Sequence, residues 1–315
     1  MSMEQSLTYL PKPGYLRRMH LYWAEMFPLP KALLTAMLQY IGFNWMLCRI
    51  HGVQLSLLSP FALVGIWTTF GFLLILRLMD ELKDKEIDLA LFRDRPVPSG
   101  RVLESDIRFS LVAMISLMLA ANLWAGRIFL ASVGLLCYAL LMFEYFFIPN
   151  VLRKYLLLNL AIHNPFTALV FLYVTVLFSE QYHLSLHQIN WSSVLIVILT
   201  FWAMVFAWEI SRKIRSGEEE NDYVTYSQLL GRVGSVIAAA GAQTLTFLLA
   251  LHFYYSLSMS RAFAAILVIG YAATMYGHVR FLVRPDPITS RLKPFAERYI
   301  LCVLFAFVVD LILTY

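Results

Sequence analysis

Nine apolar runs, each about as long as a membrane is thick, dominate this chain of 315 residues. A hydrocarbon core is crossed by roughly 20 apolar residues in an α-helix. Runs of that kind fall at about 31–48, 57–79, 107–124, 128–148, 155–178, 192–210, 234–256, 262–282 and 297–314. Inside lipid the backbone must satisfy its own polar groups, and for such segments the helix does so. Composition agrees: 60% of residues are hydrophobic, only 14% are charged, and the mean hydropathy is +0.69. A soluble surface of this size would need more charge. The reading is an all-α membrane protein of nine transmembrane helices, forming one integral membrane domain over residues 1–315.

The basic residues orient it. With a cytosolic N-terminus, 22 of the 25 Lys and Arg flank the cytosolic side, and only Arg49, Arg127 and Arg261 fall outside. Positive residues concentrate inside, so the N-terminus is expected in and the C-terminus out. The net charge of +5 therefore reports topology, with no face for nucleic acid. No secretory signal is expected within the first 30 residues, because Lys12, Arg17, Arg18 and Glu25 interrupt any apolar core there. Within residues 1–30, Tyr15 to Phe27 mixes cationic and aromatic residues. It reads either as an interfacial amphipathic helix or as a cytosolic tail. Cys48, Cys137 and Cys302 lie in separate apolar segments with neither disulfide nor metal spacing.

Acidic residues are just as uneven. Thirteen of twenty lie in two stretches, eight from Asp80 to Asp106 and five from Glu209 to Asp222. Both belong to expected cytosolic loops, 80–106 and 209–233. Asp80, Asp84 and Asp88 recur every four residues, so a helix continuing from the second span stacks them in a column. Three like charges on one face repel unless a cation intervenes. Magnesium typically takes one or two carboxylates together with substrate phosphates. The competing reading is a solvated helix end, with Arg77, Lys83 and Lys85 as partners. Beyond it, Arg93-Asp94-Arg95-Pro96-Val97-Pro98-Ser99-Gly100-Arg101 makes a stiff turn carrying guanidinium groups suited to phosphate.

These residues resemble the UbiA superfamily of intramembrane prenyltransferases. The family's first motif, Asn-Asp-x-x-Asp-x-x-x-Asp followed by Arg-Pro-x-Pro-Ser-Gly, is similar to Asp80-Glu81-x-x-Asp84-x-x-x-Asp88 and Arg95-Pro96-x-Pro98-Ser99-Gly100. Asp80 replaces the usual Asn and Glu81 the usual Asp, each keeping an oxygen ligand. The second stretch resembles the family's second motif in Glu209-Ile210 and in the exit Thr225-Tyr226-Ser227-x-Leu229-Leu230-Gly231. It departs in the middle, where many relatives carry Lys-Asp and this chain has Arg212-Lys213, with Ser216 beyond.

The resemblance implies a bundle around one cavity, closed by the two acidic loops. It also implies a Mg2+-dependent enzyme that ionises a prenyl diphosphate and passes the prenyl group to a lipophilic or aromatic acceptor. Asp80, Asp84, Asp88 and Glu209 would be the catalytic metal ligands, and Glu220 a further one. Lys83, Arg95, Arg212 and Lys213 would hold the diphosphate, although Arg212, Lys213 and Arg215 also read as the basic flank of the sixth span. The active site would face the cytosol of a bacterial inner (plasma) membrane, in contact with its lipids. Two alternatives stand beside transfer. One is a UbiA-type terpene cyclase needing no acceptor, and the other is an ion-coupled transporter, against which the carboxylates gather at one face.

Polar residues within the spans add candidates, since desolvating them is costly. Glu144 and Asn164 are placed in the substrate pocket. Asn159, His163 and His278 lie at the same depth, where an interhelical hydrogen-bonding role competes. Asp310 is expected near the outer interface. His183 and His187 have a spacing that permits a metal site but read as a solvated loop.

Overall fold

In a computed structural model, residues 13–220 and 224–314 are described, and all their regular structure is helical. Helix α1 (Tyr15–Glu25) matches the amphipathic stretch at the N-terminus, with Met19 and Tyr22 buried. Helices α2 (Leu29–His51) and α3 (Pro60–Lys83) follow. Helix α3 starts sharply because the Ser59 hydroxyl accepts from the Ala62 N–H and Pro60 stands in the first turn. A short α4 (Lys85–Leu91) precedes α5 (Glu104–Trp124) and α6 (Ile128–Phe143). After a tight turn come α7 (Pro149–Leu152), α8 (Leu156–His163) and α9 (Pro165–Gln181). Pro165 separates the last two, since a proline cannot donate to the preceding turn. The chain ends with α10 (Trp191–Ser211), α11 (Tyr226–Ser256), α12 (Arg261–Val283) and α13 (Lys293–Thr314). Gly231, at φ +69°, bends α11 inside its first turns.

Each expected span overlaps helical structure, although the fourth stops at Phe143 and the fifth is divided into α8 and α9. Six segments are long and apolar enough to cross a membrane: α3, α5, the run Leu156–Gln181 formed by α8 and α9, α10, α11 and α12. Of the rest, α6 is apolar but has only 16 residues. Gln39 and Asn44 dilute α2, and α13 carries Glu297, Arg298 and Asp310.

The core is aromatic and close-packed. Phe43 stacks on Phe171 with centroids 4.8 Å apart, and Phe201 stacks on Phe307 at 5.4 Å, so α2, α9, α10 and α13 meet at one cluster. Gly65 lets α3 approach Tyr40 of α2 more closely than any side chain would allow. Across the bundle, the Asn122 amide donates to Thr68 Oγ1 at 2.8 Å while Tyr173 donates to Asn122 Oδ1 at 2.6 Å. Such bonds hold helices together where lipid offers no partner.

The packing shows what surrounds the remaining polar candidates. Asp310 is fully buried between helices near the end of α13. It accepts from the Trp45 indole at 3.0 Å and from the Ser260 N–H at 2.6 Å, so it caps the start of α12. His183 and His187 lie exposed in the turn after α9, which stops at Gln181, as the solvated-loop reading expects.

Candidate active site

The end of α3 builds the first wall. Its helix breaks at Asp84, which closes α3 and opens α4, instead of continuing unbroken through the three aspartates. The column therefore divides. Asp80 is exposed and Asp84 half-buried, and among the described residues neither carboxylate takes a hydrogen bond or an ion pair. Asp88 is buried on α4 and accepts from Arg95 Nη1 at 2.7 Å. The stiff Pro96–Pro98 turn thus delivers Arg95 to a carboxylate of its own motif. Glu81 points away from Asp80 and pairs with Arg77 in the interior, beside a small cavity that Asp88 also lines.

The second wall is the end of α10. Glu209 accepts two bonds from Arg212, at 2.5 and 2.8 Å, with Lys213 Nζ 3.8 Å away. The charges of Arg212 and Lys213 reach Asp84, and that of Arg212 also reaches Asp80, so the two acidic loops face one another. Burial pushes the Asp84 carboxyl up. Asp88 adds to the rise, while Lys83, Lys213 and Arg212 oppose it. Glu220 is turned into its own loop, where the hydroxyls of Thr225 and Ser227 donate to it at 2.8 and 2.6 Å. Glu219 accepts from the Ser216 N–H at 3.1 Å and from the Ser290 hydroxyl; burial pushes its carboxyl up, but these bonds together outweigh it and hold the carboxyl below its ordinary value. Asp222 and the N-terminal Lys12 lie outside the described residues.

A third wall escapes sequence reasoning. Between α6 and α7, Tyr145, Phe146 and Phe147 adopt φ of +50°, +50° and +60°, a left-handed turn made without glycine. Each such residue costs about 1–2 kcal/mol. The turn buries the Tyr145 ring with its centroid 3.7 Å from Lys83 Nζ and 5.0 Å from the Arg153 guanidinium. A partly desolvated cation over an aromatic face gains roughly 1–2 kcal/mol, which offsets part of the strain. Lys83 also donates to the Met142 carbonyl at 2.8 Å and meets His163 Nε2 at 3.0 Å. Nothing in the pattern of apolar residues announces Tyr145, whereas Arg153 and Lys154 are visible only as a basic pair between spans.

The intramembrane candidates divide as well. His163 reaches the site, and Glu209 acts on it electrostatically. Asn164 Oδ1 is buried without a hydrogen-bond partner among the described residues, close behind His163 in the chain. Glu144 is exposed at the end of α6. His278 lies elsewhere, buried between helices with Nε2 2.6 Å from Gln243 Oε1.

Among the described residues, no three His, Cys, Asp or Glu side chains gather as in a metal site made by protein alone. Magnesium does not require one, since substrate phosphates complete its shell. Asp80 and Asp84, one helical turn apart and uncommitted, fit that demand. Glu209 fits it only by yielding Arg212 and Lys213, both of which a diphosphate would attract.

No protein-family model and no curated protein matches the sequence. Solved structures do match the fold. One is the apo form of a UbiA homolog from Aeropyrum pernix K1, at TM-score 0.67 and 15% identity over 90% of this chain and 98% of that one. Another is a digeranylgeranylglyceryl phosphate synthase, at TM-score 0.62 and 18% identity over 93% of this chain and 98% of that one. The fold seen in these two structures, one of them a UbiA homolog, thus extends over nearly the whole of this chain.

Proposed function

We propose that this protein is a magnesium-dependent intramembrane prenyltransferase that takes a prenyl diphosphate as donor and a lipophilic or aromatic molecule as acceptor. The observation that carries the reading is the pair of uncommitted carboxylates, Asp80 and Asp84, facing the cations Arg212 and Lys213 within a UbiA-like fold. In this reading all nine apolar helices span the membrane, the N-terminus is cytosolic, and the site opens to the cytosol.

Magnesium held by Asp80 and Asp84, with Glu209 alongside, would neutralise charge on the departing diphosphate. The protein's own groups do the rest. Arg212 and Lys213 bind the diphosphate oxygens, and Lys83 places a third positive charge beside them. Arg95 holds Asp88 and the motif turn in place. The allylic C–O bond breaks with its electron pair leaving on the diphosphate. The aromatic interior shields the resulting allylic cation from water. The acceptor's nucleophilic atom then forms the new bond to carbon and releases its proton.

Transfer and cyclisation share the first step and part afterwards. Purified protein given magnesium and a prenyl diphosphate, with and without aromatic or lipid acceptors, separates them by mass spectrometry of the organic extract. Prenylated acceptor, formed only when acceptor is present, is the expected product. A cyclic hydrocarbon or terpene alcohol formed without acceptor, and abolished by Asp84→Asn, would make the protein a terpene cyclase instead.

A further inference from the structure

Lys83 occupies a position that the acidic motif leaves open, between Asp80 and Asp84, and its side chain behaves unlike an ordinary lysine at a helix end. Such a side chain normally extends its ammonium into water. Here the ammonium turns inward to three electron-rich groups on other elements. These are the Met142 carbonyl at 2.8 Å, His163 Nε2 at 3.0 Å and the Tyr145 ring at 3.7 Å. Because an ammonium can only donate, His163 Nε2 accepts in its 3.0 Å contact with Lys83, and the Met142 carbonyl 3.3 Å from the same nitrogen is satisfied by the ammonium. That leaves the proton on Nδ1, which faces the Asn159 carbonyl at 3.0 Å. The imidazole is thereby fixed at both nitrogens, and the ring of Tyr145 is fixed by its left-handed turn. Around the cage, Asp80 and Asp84 face Lys83 from α3, Arg153 from beyond α7, Lys213 from beyond α10, and Glu209 faces His163.

We propose that Tyr145 and His163 are positioning residues that cage the Lys83 ammonium as a fixed positive charge for the donor's diphosphate. The proposal rests on the prenyl diphosphate reading above. Its physical content is preorganisation: a flexible side chain held in advance loses no rotamer freedom when the anion arrives. Neither Tyr145 nor His163 touches substrate in this account; each acts through Lys83.

Two measurements on the full chain in lipid nanodiscs test it. The first reads the cage directly, by reductive methylation of lysines followed by peptide mass spectrometry. Lys83 should react much more slowly than the exposed Lys293, and His163→Leu or Tyr145→Leu should release it. Equal reactivity of Lys83 and Lys293 in the unaltered protein overturns the cage without need of any variant. The second reads its purpose, by calorimetric binding of inorganic pyrophosphate with magnesium. His163→Leu and Tyr145→Leu should each weaken binding about tenfold, whereas His163→Gln and Tyr145→Phe, which keep the acceptor and the ring, should stay within about twofold. In a Lys83→Met background the Leu substitutions should add nothing. Losses of equal size in both backgrounds would assign these residues a general structural role and overturn the proposal. Unaltered protein that binds no pyrophosphate while Lys83 stays protected would instead overturn the diphosphate reading itself.

Discussion

The Ser290 hydroxyl donates to the carboxylate of Glu219, joining the turn after α12 to the second acidic loop. The same carboxylate receives the Ser216 N–H and hydroxyl, and its pKa is lowered in the fold. A carboxyl depressed by folding contributes stability above its unfolded value, and that contribution disappears as pH falls through the folded one. The midpoint of thermal unfolding should therefore drop on acidification below the usual glutamate range, and drop less in Glu219→Gln. Parallel curves for the two proteins would rule this contact out as a source of acid sensitivity.

Asp84 behaves in the opposite sense. Its carboxyl is raised, chiefly by burial, so it takes up a proton at a higher pH than an ordinary aspartate. A protonated carboxylic acid is a poor metal ligand. The acid limb of the rate profile should lie at higher pH than an ordinary aspartate would give at low magnesium, and move to lower pH as magnesium saturates. A limb that ignores magnesium would separate Asp84 from metal binding.

Phe147 holds the left-handed conformation at φ +60° with its side chain 75% exposed. Glycine adopts that conformation without steric cost and forfeits little buried packing here. Phe147→Gly should raise the unfolding midpoint in detergent, by an amount corresponding to about 0.5–1 kcal/mol. A clear drop would show that the ring contributes more than its conformation costs.

Topology has its own test. Cysteines placed at Asp94 and at Gly217 should react with a membrane-impermeant thiol reagent only from the cytosolic side. Labelling of either from outside intact cells would reverse the orientation drawn from 22 cytosolic against three external basic residues.

Much of the architecture was legible because lipid imposes simple rules. Apolar length locates the long helical stretches, but it runs straight through Pro165, where α8 gives way to α9, and it places the start of α11 at 234 rather than at Tyr226. The amphipathic stretch around Tyr15–Glu25 also forms a helix, held to α5 by Arg18, which donates to Asp106 at 2.6 and 2.7 Å. The convergence of the two acidic loops was foreshadowed by their motifs. What stayed hidden depends on conformation rather than composition. A left-handed turn of three bulky residues has no signature without glycine, so Tyr145 could not be placed beside Lys83. Likewise, only the packing of α13 against α2 and the start of α12 brings Asp310 to Trp45 and Ser260. A four-residue period alone does not reveal that the helix breaks at Asp84, dividing the aspartates between a site face and the Arg95 pair.

The most direct test of the central claim is magnesium-dependent release of pyrophosphate from a prenyl diphosphate by the purified protein, compared with Asp84→Asn. That substitution nearly keeps the side chain's shape while removing its charge. Release should require magnesium and fall at least about a hundredfold in the variant, with the thermal midpoint little changed. Release of equal rate from both proteins at limiting magnesium would contradict it.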